Sequence, residues 1–153
     1  MAFNIVLVNP LIPQNTGNIG RLCVATHSIL HLIDPLGFDL SDKYLNRAGL
    51  DYWKHLEYYR YKNLETFLTA HGKKNSIIFS SKAKKVYWDY SFTDGDFLIF
   101  GNEEKGVSIE IINKFNNRCL TIPQSNDKVR CLNLANSVSI ALYEALRQTS
   151  KQP

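Results

Sequence analysis

Asn15-Thr16-Gly17-Asn18-Ile19-Gly20-Arg21-Leu22-Cys23 follows the apolar run Phe3-Asn4-Ile5-Val6-Leu7-Val8. A strand that passes through an Asn- and Gly-rich turn into a helix sets backbone N–H groups and one arginine at a strand's carboxyl end, where α/β proteins hold ligands. Outward from this stretch, apolar runs of strand length stand at residues 5–8, 31–33, 76–79, 97–100 and 119–122. Helical patterns lie between and after them, at residues 15–26, 63–71 and 133–148, with shorter ones near 41–47 and 108–115. Asn63 suits an N-cap and Gly72 a C-terminal stop. Strands alternating with helices predict one α/β domain over residues 1–153, built on a mainly parallel sheet with helices on both faces.

Composition bounds the function. With 44% hydrophobic and 21% charged residues, the chain reads as an ordinary globular domain and not as a disordered, collagen-like or coiled-coil protein. A signal peptide or membrane span is not expected, because no window approaches 18 consecutive apolar residues, and the cytoplasm is the expected compartment. Three cysteines, Cys23, Cys119 and Cys131, lack metal-ligand spacing and read as reduced thiols. The net charge of +4 is mild. Most of it is local: residues 54–85 hold eight cations against Glu57 and Glu65, with Tyr58, Tyr59 and Tyr61 among them. That mixture fits either RNA contact by phosphate pairing and base stacking or a solvated surface with core-facing tyrosines.

The last helix is the most regular. At 100° per residue, Leu134, Val138, Ala141, Leu142 and Ala145 gather on a core face, while Asn136, Tyr143 and Arg147 share the opposite one. That polar stripe, Tyr143 and Arg147 above all, is a candidate face for RNA or a second subunit, or else a solvated surface.

No Walker sequence, Gly-x-Ser-x-Gly elbow or His-Glu-x-x-His helix is present, and Gly17 and Gly20 give only part of a dinucleotide fingerprint. Gly101, directly after the run 97–100, would let the backbone approach a flat ligand closely, because no Cβ intrudes. Glu103 and Glu104 are placed to position a reacting hydroxyl or to pair with Arg21. Ile122-Pro123 would end its strand with backbone polar groups free to read a base edge.

Three segments, taken in order, resemble the three motifs of the SPOUT (α/β-knot) RNA 2′-O-ribose methyltransferases. Asn15-Thr16-Gly17-Asn18-Ile19 with Arg21 is similar to the first, Phe100-Gly101-Asn102-Glu103 with Gly106 to the second, and Leu132-Asn133-Leu134-Ala135-Asn136-Ser137-Val138 to the third. Asp34-Pro35-Leu36-Gly37-Phe38 and Arg47-Ala48-Gly49-Leu50-Asp51-Tyr52-Trp53 resemble the minimal members that methylate the wobble nucleotide of tRNA.

This resemblance implies a C-terminal deep trefoil knot forming an S-adenosylmethionine pocket, S-adenosylhomocysteine as product, a homodimer, and no metal. The expected activity is methyl transfer to the ribose 2′-hydroxyl of a wobble cytidine or uridine in tRNA. The alternatives are another tRNA or rRNA nucleotide, or a non-catalytic RNA-binding dimer. Carried over by position, Phe79, Gly101, Ile122 and Cys131 line the cofactor pocket, and Asn15, Arg21, Glu103 and Asn133 form the catalytic constellation, with Glu103 holding Arg21. Two residues depart from the family pattern. Asn102 replaces a proline, which should loosen its loop. Cys131 replaces a serine, which weakens any contact made through the hydroxyl and spares one made through the backbone.

Overall fold

The computed structural model describes residues 2–41, 52–73 and 75–150. Seven strands form one sheet: β1 (Asn4–Val8), β2 (Ile29–Ile33), β3 (Tyr58–Tyr61), β4 (Ser76–Phe79), β5 (Lys85–Val86), β6 (Phe97–Phe100) and β7 (Cys119–Thr121). Every pairing is parallel, and the order across the sheet is β3-β2-β1-β6-β4-β7-β5. Among the described residues, four α-helices connect and cover them: α1 (Pro13–Ala25), α2 (Leu64–His71), α3 (Ile109–Phe115) and α4 (Leu134–Thr149). The short helix expected near 41–47 lies outside the described residues.

Side-chain alternation along the central strands divides the core into two layers. Ile5 and Leu7 of β1, Ile77 and Phe79 of β4, and Leu98 and Phe100 of β6 belong to the layer under α1 and α4, with Ile19, Cys23, Val138 and Leu142. Val6, Ile78 and Ile99 belong to the opposite layer, with Phe67 of α2 and Ile112 and Phe115 of α3. Each fully buried Ile, Leu or Phe contributes roughly 1.5–3 kcal/mol by leaving water. The expected α/β architecture, with helices on both faces, is therefore the one observed.

The helix signals read from sequence have local physical causes. Asn63 Oδ1 accepts from the backbone N–H of Thr66 at 2.8 Å, and Gly72 leaves α2 at φ 73°. Ser108 and Asn133 cap α3 and α4 in the same way, accepting from Ile111 N–H and Asn136 N–H. Helix α1 differs. It begins at Pro13, so Asn15 to Gly20 lie inside the helix and are not a loop before it, and no side chain of its own caps it.

Strands β3 and β5 were not apparent in the sequence, and they redraw the basic segment 54–85. They are the two opposite edges of the sheet. Lys54, Arg60 and Lys62 therefore belong to the β3 side and Lys82, Lys84 and Lys85 to the β5 side, so the stretch is not one patch. On β3, Tyr61 is committed to structure: its hydroxyl lies 3.0 Å from His31 Nδ1 and 2.9 Å from His71 Nε2. Asn4 Nδ2 donates to the Gly95 carbonyl, so Asn4 Oδ1 accepts from His31 Nε2–H at 2.9 Å, and His31 Nδ1 accepts from Tyr61. Burial, helped by the charge of His71, pushes the His31 pKa down to about 4. His31 is a packed core histidine, and among the described residues no group of three metal-ligating side chains occurs. Nor is any helix there long and apolar enough to cross a membrane.

Candidate active site

The carboxyl ends of β4, β6 and β7 open into one cavity of about 450 Å³. That is within the range of small-molecule and cofactor sites. The chain reaches this place by reversing direction across the sheet: β2 and β3 build outward on one side of β1, and β6, β4, β7 and β5 lie on the other. Crevices at such reversals are where open α/β sheets hold ligands.

All four residues expected around a cofactor line the cavity: Phe79, Gly101, Ile122 and Cys131. Phe79 is 6% exposed and its ring stacks on Phe100 at 4.9 Å, so it forms a rigid floor more than a contact arm. Cys131 is a free, exposed cysteine, and its thiol makes no hydrogen bond among the described residues. Gly101 is required for a reason other than ligand approach. A Cβ there would lie 2.0 Å from the Gly106 carbonyl carbon, because the loop folds back on itself. Gly106 takes φ 63°, and its N–H donates to the Asn102 carbonyl at 3.1 Å.

Asn102 was expected to loosen this loop, and it does the opposite. Its side-chain oxygen accepts from the N–H groups of Glu104 at 3.1 Å and Lys105 at 2.7 Å. An Asx-type turn thus supplies what proline supplies by ring closure.

Three of the four expected catalytic residues meet in one hydrogen-bonded chain beside the cavity. Glu103 accepts from Leu11 N–H at 2.8 Å, from Ile12 N–H at 3.0 Å and from Asn15 Nδ2 at 3.3 Å. Asn133 Nδ2 donates to Asn15 Oδ1 at 3.0 Å. Glu103 therefore serves as the missing cap of α1, placing a carboxylate where the N–H groups and the helix dipole favour negative charge. Asn15, at 6% exposure, joins the loop after β6 to the start of α4.

Arg21 is elsewhere. It is exposed on α1 and does not line the cavity. The expected pairing with Glu103 is absent: its carboxylate oxygens accept from the Leu11 and Ile12 N–H groups just before α1 and from the Asn15 amide. Among the described residues the ion pairs are Arg60 with Asp34 and Arg147 with Glu144. The charge of Arg21 is felt instead at the Tyr52 phenol. Burial raises that phenol's pKa and the Arg21 charge partly offsets it. The Tyr52 hydroxyl donates to the Gly17 carbonyl, tying the segment before β3 to α1.

On α4, Asn136, Tyr143 and Arg147 are exposed as expected, Tyr143 at 56%. Arg147 is not a free cation: it donates twice to Glu144, at 2.8 and 2.9 Å. Three basic cavity residues went unread in the sequence as site residues. Lys82, Lys105 and Arg130 come from three separate loops onto one rim, and Arg130 donates to the Glu104 carbonyl at 2.9 Å. Only Lys82 had a signal, as part of the basic segment.

Comparison with known proteins gives these features a context. Residues 2–143 match the profile of the SpoU rRNA Methylase family. A tRNA (cytidine(34)-2′-O)-methyltransferase of Saccharophagus degradans is 43% identical over 148 residues, spanning 95% of this chain and 95% of that protein. A solved structure concerned with 2-OH methylation of C/U34 on tRNA is 41% identical, with a TM-score of 0.89 over 96% of this chain and 95% of the other. The SpoU methyltransferase AviRb of Streptomyces viridochromogenes, in complex with AdoMet, shares the fold at 22% identity, with a TM-score of 0.82 over 96% of this chain and 57% of its own.

Proposed function

The chain belongs to the SpoU rRNA methylase family, and on that premise we propose that it is a tRNA 2′-O-methyltransferase acting on cytidine or uridine 34, the anticodon wobble nucleotide. The observation that carries this reading is the Glu103–Asn15–Asn133 chain, which gathers all three motifs at the mouth of one cavity. Similarity over nearly the full length to proteins described by that reaction supports the choice of nucleotide.

S-adenosylmethionine fits the cavity in size and in lining, and when bound it supplies an electrophilic methyl group to a ribose 2′-hydroxyl. Phe79, Gly101, Ile122 and Cys131 would hold it, through the flat Phe79 floor and the backbone of the crossing loops. Glu103 fixes the start of α1, and through Asn15 it fixes the amide of Asn133, so the side chains facing the reacting hydroxyl are oriented before substrate arrives. A guanidinium presents N–H donors and no acceptor, so Arg21 orients a phosphate and stabilises the oxygen as its proton leaves, and it does not serve as the base.

The knot and the dimer belong to the same reading. Residues of segments 101–107 and 122–133 line the same cavity, and Arg130 donates to the Glu104 carbonyl, a proximity that supports the knotted reading. The exposed Ile140 and Tyr143 of α4 suit a subunit contact. A tRNA substrate supports a cytoplasmic location. Mass-spectrometric mapping of 2′-O-methylation in tRNA from cells with and without this protein tests the proposal. The methyl at nucleotide 34 of particular isoacceptors should vanish with the protein.

A further inference from the structure

Between Glu65 and Asp89 the chain carries five lysines and no acid. Three of them lead away from the cavity along one edge. Lys82 stands on the rim, and Lys84 and Lys85 are exposed on and just before β5, the strand that ends the sheet on this side. Neither Lys84 nor Lys85 takes part in an ion pair among the described residues. The Lys85 ammonium is held 5.2 Å above the Tyr90 ring. Immediately beyond, Trp88 exposes 54% of its surface, while its neighbour Tyr87, with ring centroids 5.5 Å apart, packs against the core. A large flat ring left in water on a firmly anchored turn, preceded by two unpaired ammonium groups, combines phosphate attraction with a stacking platform. Lys105 and Arg130 line the same cavity, where Glu103 and Glu104 also stand, so the three cations outnumber the acids by one. Asp89 is the acid beside the ring, and Glu144, whose charge reaches Tyr87, is neutralised by Arg147.

We propose that the β5 edge, from Lys82 through Lys84 and Lys85 to Trp88, carries single-stranded RNA flanking the nucleotide to be methylated, with phosphates on the lysines and an unpaired base stacked on the indole. This rests on the reading of the chain as a tRNA methyltransferase, because the edge is continuous with the cavity that reading uses. An anticodon loop supplies both chemistries at once, unpaired bases and closely spaced phosphates.

The experiment measures binding of a synthetic anticodon stem-loop to the full-length protein across a salt series, alongside calorimetry with S-adenosylmethionine and sedimentation. Trp88→Ala should weaken RNA binding by between roughly 5- and 150-fold, the range for one lost base stack, and Trp88→Phe should recover most of it. The double variant Lys84→Ala/Lys85→Ala should reduce the slope of log affinity against log salt by about 1.4, two single-strand phosphate contacts. Cofactor affinity and sedimenting mass should not change in any of them. Wild-type RNA affinity and salt slope in both the Trp88→Ala and the double-lysine proteins would overturn the proposal while leaving the methyltransferase reading intact. A fall in mass for Trp88→Ala would also overturn it, by making this edge a contact with a second copy. A wild-type protein that binds no tRNA would remove both.

Discussion

Replacing Glu103 by alanine strips α1 of its only cap. The carboxylate takes two backbone N–H groups at the entry to the helix and the Asn15 amide, while Ile12 offers no side chain and the first turn has no acid. Loss of an N-cap costs about 1 kcal/mol and loss of a negative charge at a helix N-terminus about 0.3–1 kcal/mol. With the Asn15 bond, and with allowance for the partial exposure of Glu103, the sum is about 2 kcal/mol. For a chain of this size that is a fall in melting temperature of roughly 4–8 °C. Glu103→Gln keeps one acceptor oxygen but not the charge, and should lose about half as much. Thermal and urea unfolding followed by circular dichroism measure both. Turnover should suffer more than stability, falling about 100-fold in kcat at unchanged cofactor affinity, because Asn15 and Asn133 lose their alignment. A Glu103→Ala protein that melts within about 1 °C of wild type would refute the cap. Full turnover in a folded Glu103→Ala protein would refute the positioning chain.

Arg21→Ala should abolish methyl transfer through its proposed hold on the RNA phosphate and reacting oxygen and, because Arg21 lies outside the cavity lining, leave S-adenosylmethionine affinity within a few-fold, as calorimetry paired with a tritium-transfer assay would show. Cys131→Ser should change cofactor affinity by less than about 1 kcal/mol, since the exposed thiol makes no hydrogen bond whose loss would matter, and calorimetry again decides. Acid should destabilise the fold through His31: with a folded pKa near 4 against about 6.5 unfolded, the unfolded chain binds the extra proton. Stability is therefore complete above pH 6.5 and falls by about 1.4 kcal/mol per pH unit towards pH 4. Urea unfolding at pH 7 and pH 5 should differ by about 2 kcal/mol from this source, and the difference should shrink in His31→Gln.

The buried strands and the capped helices were legible because their causes are local. Ser76–Phe79 and Phe97–Phe100 are runs of apolar residues bounded by turns, and Asn63 and Gly72 act within four residues of themselves. The edges were not legible. Tyr58-Tyr59-Arg60-Tyr61 carries no alternation that separates an exposed edge strand from a basic loop, and β5 has two residues. Its pairing partners on β7 lie 35 positions further along, so only the assembled sheet reveals it. In the site, the motif residues could be named but not their bonds. The Glu103 contact with Leu11 spans 92 positions, and its geometry, not charge complementarity with Arg21, decides where the carboxylate goes. Asn102 was misread for the same reason, because proline and an Asx turn rigidify a loop by different chemistry. Lys82, Lys105 and Arg130 become one rim only when three loops converge.

The central claim is methyl transfer to one ribose hydroxyl, and the most direct measurement uses purified protein, labelled S-adenosylmethionine and two otherwise identical tRNAs, one carrying 2′-deoxyribose at nucleotide 34. Label should enter the intact tRNA at that ribose alone and should be absent from the 2′-deoxy form. Equal labelling of the two tRNAs, or a methyl found on a base or on another nucleotide, would contradict the account.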